Sequence, residues 1–155
     1  GIIAYKLQSG DPGYDASVQH GLIVATADQS TGIIWAISAY QSTSVPGTLT
    51  TLGSGTANTA LIVAQNGAGS TYAAGLCDAY INTDTGTGVY SDWYLPSRDE
   101  LNKLYDRSAF VDGLGFTDNR YWSSSEYDAG GAYYQELLDM MLKSYTNHVR
   151  AFRAF

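Results

Sequence analysis

Few side chains in this sequence are suited to acid–base, nucleophilic or metal chemistry. His20 and His148 are the only histidines, and Cys77 is the only cysteine. Histidine titrates near neutral pH and is the commonest general base. His148, beside Arg150, is the base candidate, but no nucleophile stands at a characteristic spacing from it. His20, next to Gly21 at a strand start, reads as structural. The run Ser123-Ser124-Ser125 lacks the flanking glycines of a nucleophile elbow, and such hydroxyls more often fix loops by bonding to backbone. Cys77 reads as a small buried side chain on a helix. Asn82, Thr83, Asp84, Thr85 and Asp92 offer oxygen ligands suited to calcium. Their spacing is not that of an EF-hand loop, and loop polarity accounts for the same residues. Phosphate-loop and zinc spacings are absent. The expectation is a protein that is not an enzyme and uses no cofactor.

Binding chemistry is better represented. Tyr127, Tyr133, Tyr134, Tyr145, Met140, Met141 and His148 fall within about two dozen residues. Tyrosine gives a large rigid contact surface with a polar tip, and Ser, Gly and Asn add adaptable polar contacts. Methionine adapts to irregular partners. The competing reading places Tyr133, Tyr134, Leu138, Met140 and Met141 in the core, since half of an amphipathic strand points inward.

The elements that must hold these residues follow from local pattern. Gly1 to Leu7 reads as a strand, followed by turn chemistry from Ser9 to Gly13. His20 to Ala25 reads as a second strand, antiparallel to the first. Asp28 to Gly32 is a turn, Ile33 to Ala36 a short apolar strand, and Ser42 to Gly55 a loop. Asn58 to Gln65 carries Ala60, Leu61 and Ala64 at helical spacing, with Gly67 as a stop. Thr71 to Tyr80 repeats the pattern with Ala73, Leu76, Cys77 and Tyr80. A third helix has Ser97 as N-cap, Glu100 three residues on as a capping box, and an apolar stripe of Leu101, Leu104 and Tyr105. Residues 106 to 119 read as a connecting loop. For Tyr133 to Tyr145 local propensity favours a helix with Tyr134, Leu137, Leu138, Met141, Leu142 and Tyr145 as its stripe; two strands are the alternative. Segregated strands and helices of this kind predict an α+β domain.

The chain has 155 residues, a length that fits one domain spanning 1 to 155. Charged residues make up 15% and the net charge is -7, with 17 Gly and 13 Tyr. No basic patch for nucleic acid stands out, and no apolar run reaches the ~18 residues of a membrane-spanning helix. The acidic balance also opposes a sulfated polyanion, a local Lys143/His148/Arg150 patch being the exception to weigh. The chain opens at Gly1, and a processed or truncated chain is the expectation.

Several long strings carry a family resemblance. Tyr90-Ser91-Asp92-Trp93-Tyr94-Leu95-Pro96-Ser97-Arg98-Asp99-Glu100-Leu101 resembles the hallmark of the Lcl C-terminal-domain family. The likeness extends to His20–Ala25, Gly53–Thr59, Leu76–Tyr80, Tyr121–Glu126 and Val149–Phe155. That family is similar to C-type-lectin-fold domains, and some members are variable proteins of diversity-generating retroelements. In those, a reverse transcriptase rewrites adenine-containing codons of the C-terminal region. The resemblance implies a C-type-lectin-like fold: an N-terminal β-hairpin, two to three helices and C-terminal antiparallel strands. It implies strands for Tyr133 to Tyr145 with a turn near Asp139-Met140, and a variable region of about 121 to 155. The stretch Leu138-Asp139-Met140-Met141-Leu142 departs from the family, whose members often carry Gly and Asn there. Trp122, Ser123, Ser124, Glu126, Leu137, Val149, Arg150 and Arg153 would be scaffold, with the arginines paired to Glu126 or to loop carbonyls. The ligand-binding positions would be Tyr127, Asp128, Gly130, Gly131, Tyr133, Tyr134, Glu136, Leu138, Met140, Met141, Lys143, Tyr145, Asn147 and His148. The implied partner is a protein or glycan on a target cell surface, met by a domain of a bacterial surface, pilus or phage-tail protein outside the cell. A non-diversified adhesin or carbohydrate-binding module is the alternative. An enzyme like the formylglycine-generating enzymes is a third reading, though their chemistry needs cysteines or metal ligands beyond Cys77.

Overall fold

The computed structural model describes residues 1–83, 88–105, 120–135 and 139–155. The expected loop at 106 to 119 lies outside them, as do Asp84, Thr85, Glu136, Leu137 and Leu138. The described chain is a small mixed α+β domain with three helices and antiparallel sheets.

β1 (Ile2–Lys6) and β2 (Gly21–Val24) form the expected antiparallel hairpin. β3 (Ser30–Ile34) starts earlier than expected, inside the stretch read as a turn. Ser30 pairs with Val149, so a partner strand distant in sequence extends what local residue types mark as a turn. Trp35 and Ala36 lie beyond β3 but are fully buried. α1 (Gly55–Asn66) stops at Gly67, whose φ of 86° suits a residue without a Cβ. α2 (Ala73–Asp78) buries Ala73, Ala74 and Cys77. α3 (Arg98–Tyr105) begins with the expected capping box. The Ser97 N–H donates to Glu100 Oε2 at 2.7 Å, and the Glu100 N–H donates to Ser97 Oγ at 3.3 Å.

The described elements of the C-terminal third are all strands: β4 (Trp122–Glu126), β5 (Gly131–Tyr134), β6 (Met140–Leu142), β7 (Thr146–Val149) and β8 (Phe152–Ala154). The helix favoured by propensity over Tyr133 to Tyr145 does not form. Tyr133 and Tyr134 lie in β5 and Met140 and Met141 in β6, and the two strands pair antiparallel. Met140 pairs with Tyr133, so the chain reverses between these two residues, next to the expected Asp139-Met140 position. Sheet pairing outweighs good helix formers here, since tertiary context overrides a propensity of tenths of a kcal/mol per residue.

Among the described residues three small sheets result, ordered β1-β2-β8, β3-β7 and β4-β5-β6. One core gathers Trp35, Ile62, Tyr72, Trp93, Leu95, Trp122, Tyr134 and Val149. A second joins Tyr5, Leu22, Val24, Tyr94, Leu101, Leu104, Tyr121 and Phe152. The inner face of α1 is not the apolar stripe expected: Ala60, Leu61 and Ala64 are exposed, and Asn58, Thr59, Ile62 and Asn66 are buried. Those polar side chains hold loops. Asn58 exchanges hydrogen bonds with the backbone of Leu49, Thr59 with that of Leu95, and Asn66 Oδ1 accepts the Ile37 N–H.

Candidate binding surface

β4 is the fixed floor. Trp122 donates its indole N–H to the Ile33 carbonyl, and Trp35 donates its own to the Ser123 carbonyl, both at 2.8 Å. The serine run bonds as hydroxyls in a buried loop support should. Ser123 Oγ donates to the Tyr133 carbonyl, Ser124 Oγ accepts from Asn58, and Ser125 Oγ donates to the Leu49 carbonyl. Trp122, Ser123, Ser124 and Val149 are buried.

Past β4, the chain turns through Asp128. Its Oδ1 accepts the N–H groups of Gly130 and Gly131, each at 2.8 Å, so the carboxylate shapes the turn. Gly131 is buried, and a Cβ there would stand 2.0 Å from Met140 Cε. The register then sorts the following residues by face, since paired residues put their side chains on the same side. Ala132 with Met141, and Trp122 with Tyr134, face the core. Tyr133 with Met140, and Gly131 with Leu142, face outward. On that outer face Tyr127 packs edge-on against Tyr133 at 5.3 Å between ring centroids, and the Arg98 guanidinium lies 5.1 Å from the Tyr133 ring centre. Tyr127 is 53% exposed and Leu142 47%.

A second concavity lies beyond β6. Arg120, Met141, Ser144, Tyr145, Thr146 and Asn147 line an open hollow of about 410 Å³. Tyr145 is 55% exposed, whereas Asn147 is only 4% exposed and its Nδ2 has no hydrogen-bond partner among the described residues.

Four residues expected at the surface are placed differently. Tyr134 is buried in the core, with its hydroxyl donating to Asp139 Oδ2 at 3.0 Å. Lys143 is wholly buried, its Nζ donating to Glu126 Oε2 and to the carbonyls of Thr43 and Ala129. Burial of a cation requires such partners, which is why it belongs to the frame. Asn147 and Gly131 are buried as well. Lys143 therefore forms no basic patch with His148 and Arg150.

His148 is half-buried and engaged, its Nδ1 2.9 Å from Asp28 Oδ2. Arg150 Nε donates to Asp28 Oδ1 at 2.6 Å, and the Tyr121 hydroxyl donates to Asp28 Oδ2 at 3.0 Å. Arg150 is thus paired with Asp28, and Arg153 with Asp92, where Glu126 was one expected partner. Glu126 instead bonds Lys143 and the Val45 N–H. A histidine held by a carboxylate has the form of a base and its orienter, but no hydroxyl or thiol is hydrogen-bonded to His148 among the described residues. Cys77 is fully buried, and burial pushes its thiol pKa well up, keeping it protonated. His20 bonds the Phe155 carbonyl through Nδ1. In the loop weighed for calcium, Asn82 Oδ1 accepts from the Tyr90 N–H and the Trp93 indole, and its Nδ2 donates to the Gly88 carbonyl. Among the described residues no three His, Cys, Asp or Glu side chains gather for a metal.

Arg98, Arg120, Leu142, Ser144 and Thr146 join these surfaces without having been marked by sequence. Arg98 reads only as the first residue of a capped helix, and Leu142 as part of a helical stripe. Register alone reveals them. No family model matches the chain, and it matches no curated protein.

Proposed function

We propose that this chain is a ligand-binding domain of C-type-lectin-like fold, resembling the Lcl C-terminal-domain family. It presents a C-terminal surface to a protein or cell-surface target, as a variable protein of a diversity-generating retroelement does. Its setting is extracellular, on a bacterial surface or pilus protein or a phage virion. The observation that carries this reading is the contrast between frame and surface within one stretch. Tyr127, Tyr133, Met140 and Tyr145 reach solvent, while Trp122, Ser123, Ser124, Lys143 and Val149, interleaved with them, are buried and bonded. Rigid aromatic anchors on a fixed support are the arrangement of a paratope.

The genetic test is direct. The reading expects a near-copy of the coding sequence for residues 121 to 155 downstream, differing at adenines, beside a reverse-transcriptase gene. Its absence removes the diversification. The binding test is capture of target cells by the chain, lost in the Tyr127→Ala/Tyr145→Ala double variant. Capture unchanged in that variant overturns the surface assignment, and capture competed only by free sugars moves the reading to a carbohydrate-binding module.

A further inference from the structure

The hollow beyond β6 is lined by two hydrogen-bond donors, the Arg120 guanidinium and Asn147 Nδ2, that meet no acceptor among the described residues. Asn147 is almost wholly buried, yet its Nδ2 is unpartnered. A buried amide without a partner costs roughly 1–3 kcal/mol, so it is retained against a penalty. Arg120, exposed on the rim, has its guanidinium 5.7 Å from the Tyr134 ring centre and no ion pair among the described residues. The other arginines among the described residues are matched: Arg98 with Asp99, Arg150 with Asp28, Arg153 with Asp92.

From this juxtaposition we propose that the hollow is a subsite for one carboxylate, the side chain of a Glu or Asp on a partner protein. It rests on the reading of this region as a ligand-contacting surface, and it names the chemistry that surface takes. A carboxylate is planar and offers two oxygens. One meets the guanidinium fork and the other the Asn147 amide. The charge count selects it over phosphate: Arg120 is the one cation among the residues that line the hollow, and on a chain of net charge -7 it balances one negative charge and not two. The remaining walls select a protein over a sugar acid. Met141 is a flexible apolar contact and Tyr145 an amphipathic one, the residue types that adapt to protein surfaces. At about 410 Å³ the hollow accommodates one side chain and its flanking backbone.

The test is a titration of the ¹⁵N-labelled chain with N-acetyl-glutamate N-methylamide, read at the Asn147 side-chain amide and the Arg120 Nε–H. The neutral glutamine analogue, glucuronate and inorganic phosphate serve as comparison probes. The expected result is a saturable shift centred on those two groups. The glutamine analogue binds at least about tenfold more weakly, as loss of a charge-assisted hydrogen bond requires. The same loss is expected in Arg120→Gln, a rim substitution whose retained fold is checked by its backbone spectrum. In Asn147→Ser the Arg120 shift persists with weakened affinity. Equal binding of the glutamine analogue, or shifts that bypass Asn147, overturns the proposal. Tighter binding of glucuronate or phosphate overturns the assignment to a protein side chain. The two readings fail separately. Target capture that depends on Tyr127 and Tyr145 with a silent hollow leaves the surface and removes the subsite. A glutamate-responsive hollow on a chain that captures no target does the reverse.

Discussion

Lys143 and Glu126 form an ion pair of 2.7 Å, Nζ to Oε2, in which the lysine side chain is entirely removed from solvent. All three Nζ protons have acceptors: Glu126 and the carbonyls of Thr43 and Ala129. The ammonium also lies 4.8 Å from the Trp35 ring centre. One side chain thereby ties together the loop before α1, the turn after β4 and the end of β6. Removing it leaves a carboxylate and two carbonyls short of a partner. Lys143→Met is expected to destabilise the chain by about 3–5 kcal/mol. Lys143→Met/Glu126→Gln is expected to recover part of that loss. Urea unfolding measures both, and a neutral single variant would show that the pair does not hold the loops.

Burial separates the tyrosines by stability. Tyr145→Ala is expected to stay within about 0.5 kcal/mol of the parent, as exposed positions do. Tyr127→Ala loses an edge contact with Tyr133 and is expected to cost about 1 kcal/mol. Tyr134→Ala opens the core and is expected to cost about 3–5 kcal/mol. Thermal unfolding of the three variants gives the order, and a costly Tyr145→Ala would contradict its placement.

Two carboxylates are expected to bias acid stability in opposite directions. The hydrogen bond from Arg153 to Asp92 holds the Asp92 carboxyl below the ordinary 3.8. Its stabilisation is present above the unfolded value and lost as pH falls through the folded one. Burial raises the Glu100 carboxyl above the ordinary 4.5, despite the N–H groups it accepts from Ser97 and Gly53. Its contribution is complete below the unfolded value and lost as pH rises through the folded one. The melting-temperature gap between parent and Asp92→Asn should therefore shrink below about pH 4. The gap to Glu100→Gln should instead widen as pH falls through the raised folded value and stay constant below 4.5. A gap independent of pH in either pair refutes that assignment.

Two glycines differ in what surrounds them. A Cβ on Gly75 would stand 2.0 Å from the Gly69 carbonyl oxygen, which is backbone, and 2.7 Å from the Tyr72 ring. On Gly131 it would meet the end of the Met140 side chain. Gly75→Ala is expected to cost about 1–3 kcal/mol or more. Gly131→Ala is expected to cost less, because Met140 can swing aside, but to alter binding at the outer face. Calorimetry paired with target capture checks both, and equal stability losses would contradict this account.

How much of this was legible from sequence depends on whether local or distant partners decide. The capping box of Ser97 and Glu100, the stop at Gly67 and the β1–β2 hairpin are local, and residue types identify them. The inner face of α1 is not, because Asn58 and Asn66 are drawn inside by the backbone of Leu49 and Ile37. A rule that searches for apolar periodicity selects the opposite face. The strands of 131 to 142 depend on pairing across a turn, so propensity misled. Tyr134 reads as a paratope residue by its type, and Lys143 by its place in the stretch that the family resemblance marks. Their burial depends on Glu126, Thr43 and Asp139, whose positions no local pattern gives. Tyr127, Tyr133 and Tyr145 reach the solvent as their chemistry anticipates.

The three-stranded sheet has a mechanical consequence. β1 and β8 flank β2 on its two edges, both antiparallel to it, so they run in the same direction. Ile2 and Phe152 both lie level with Val24, and Ala154 lies level with Leu22. Tension entering at the start of β1 and leaving at the end of β8 therefore pulls along the strands, across their ladder hydrogen bonds. The bonds share that load and must yield together, where a hairpin pulled from its open end would peel one bond at a time. Resistance to pulling is a matter of unfolding rate and not of equilibrium stability. Sharing the load lowers that rate under shear, so a domain tethered through these strands would keep its shape while its load is carried elsewhere than on the proposed binding surface.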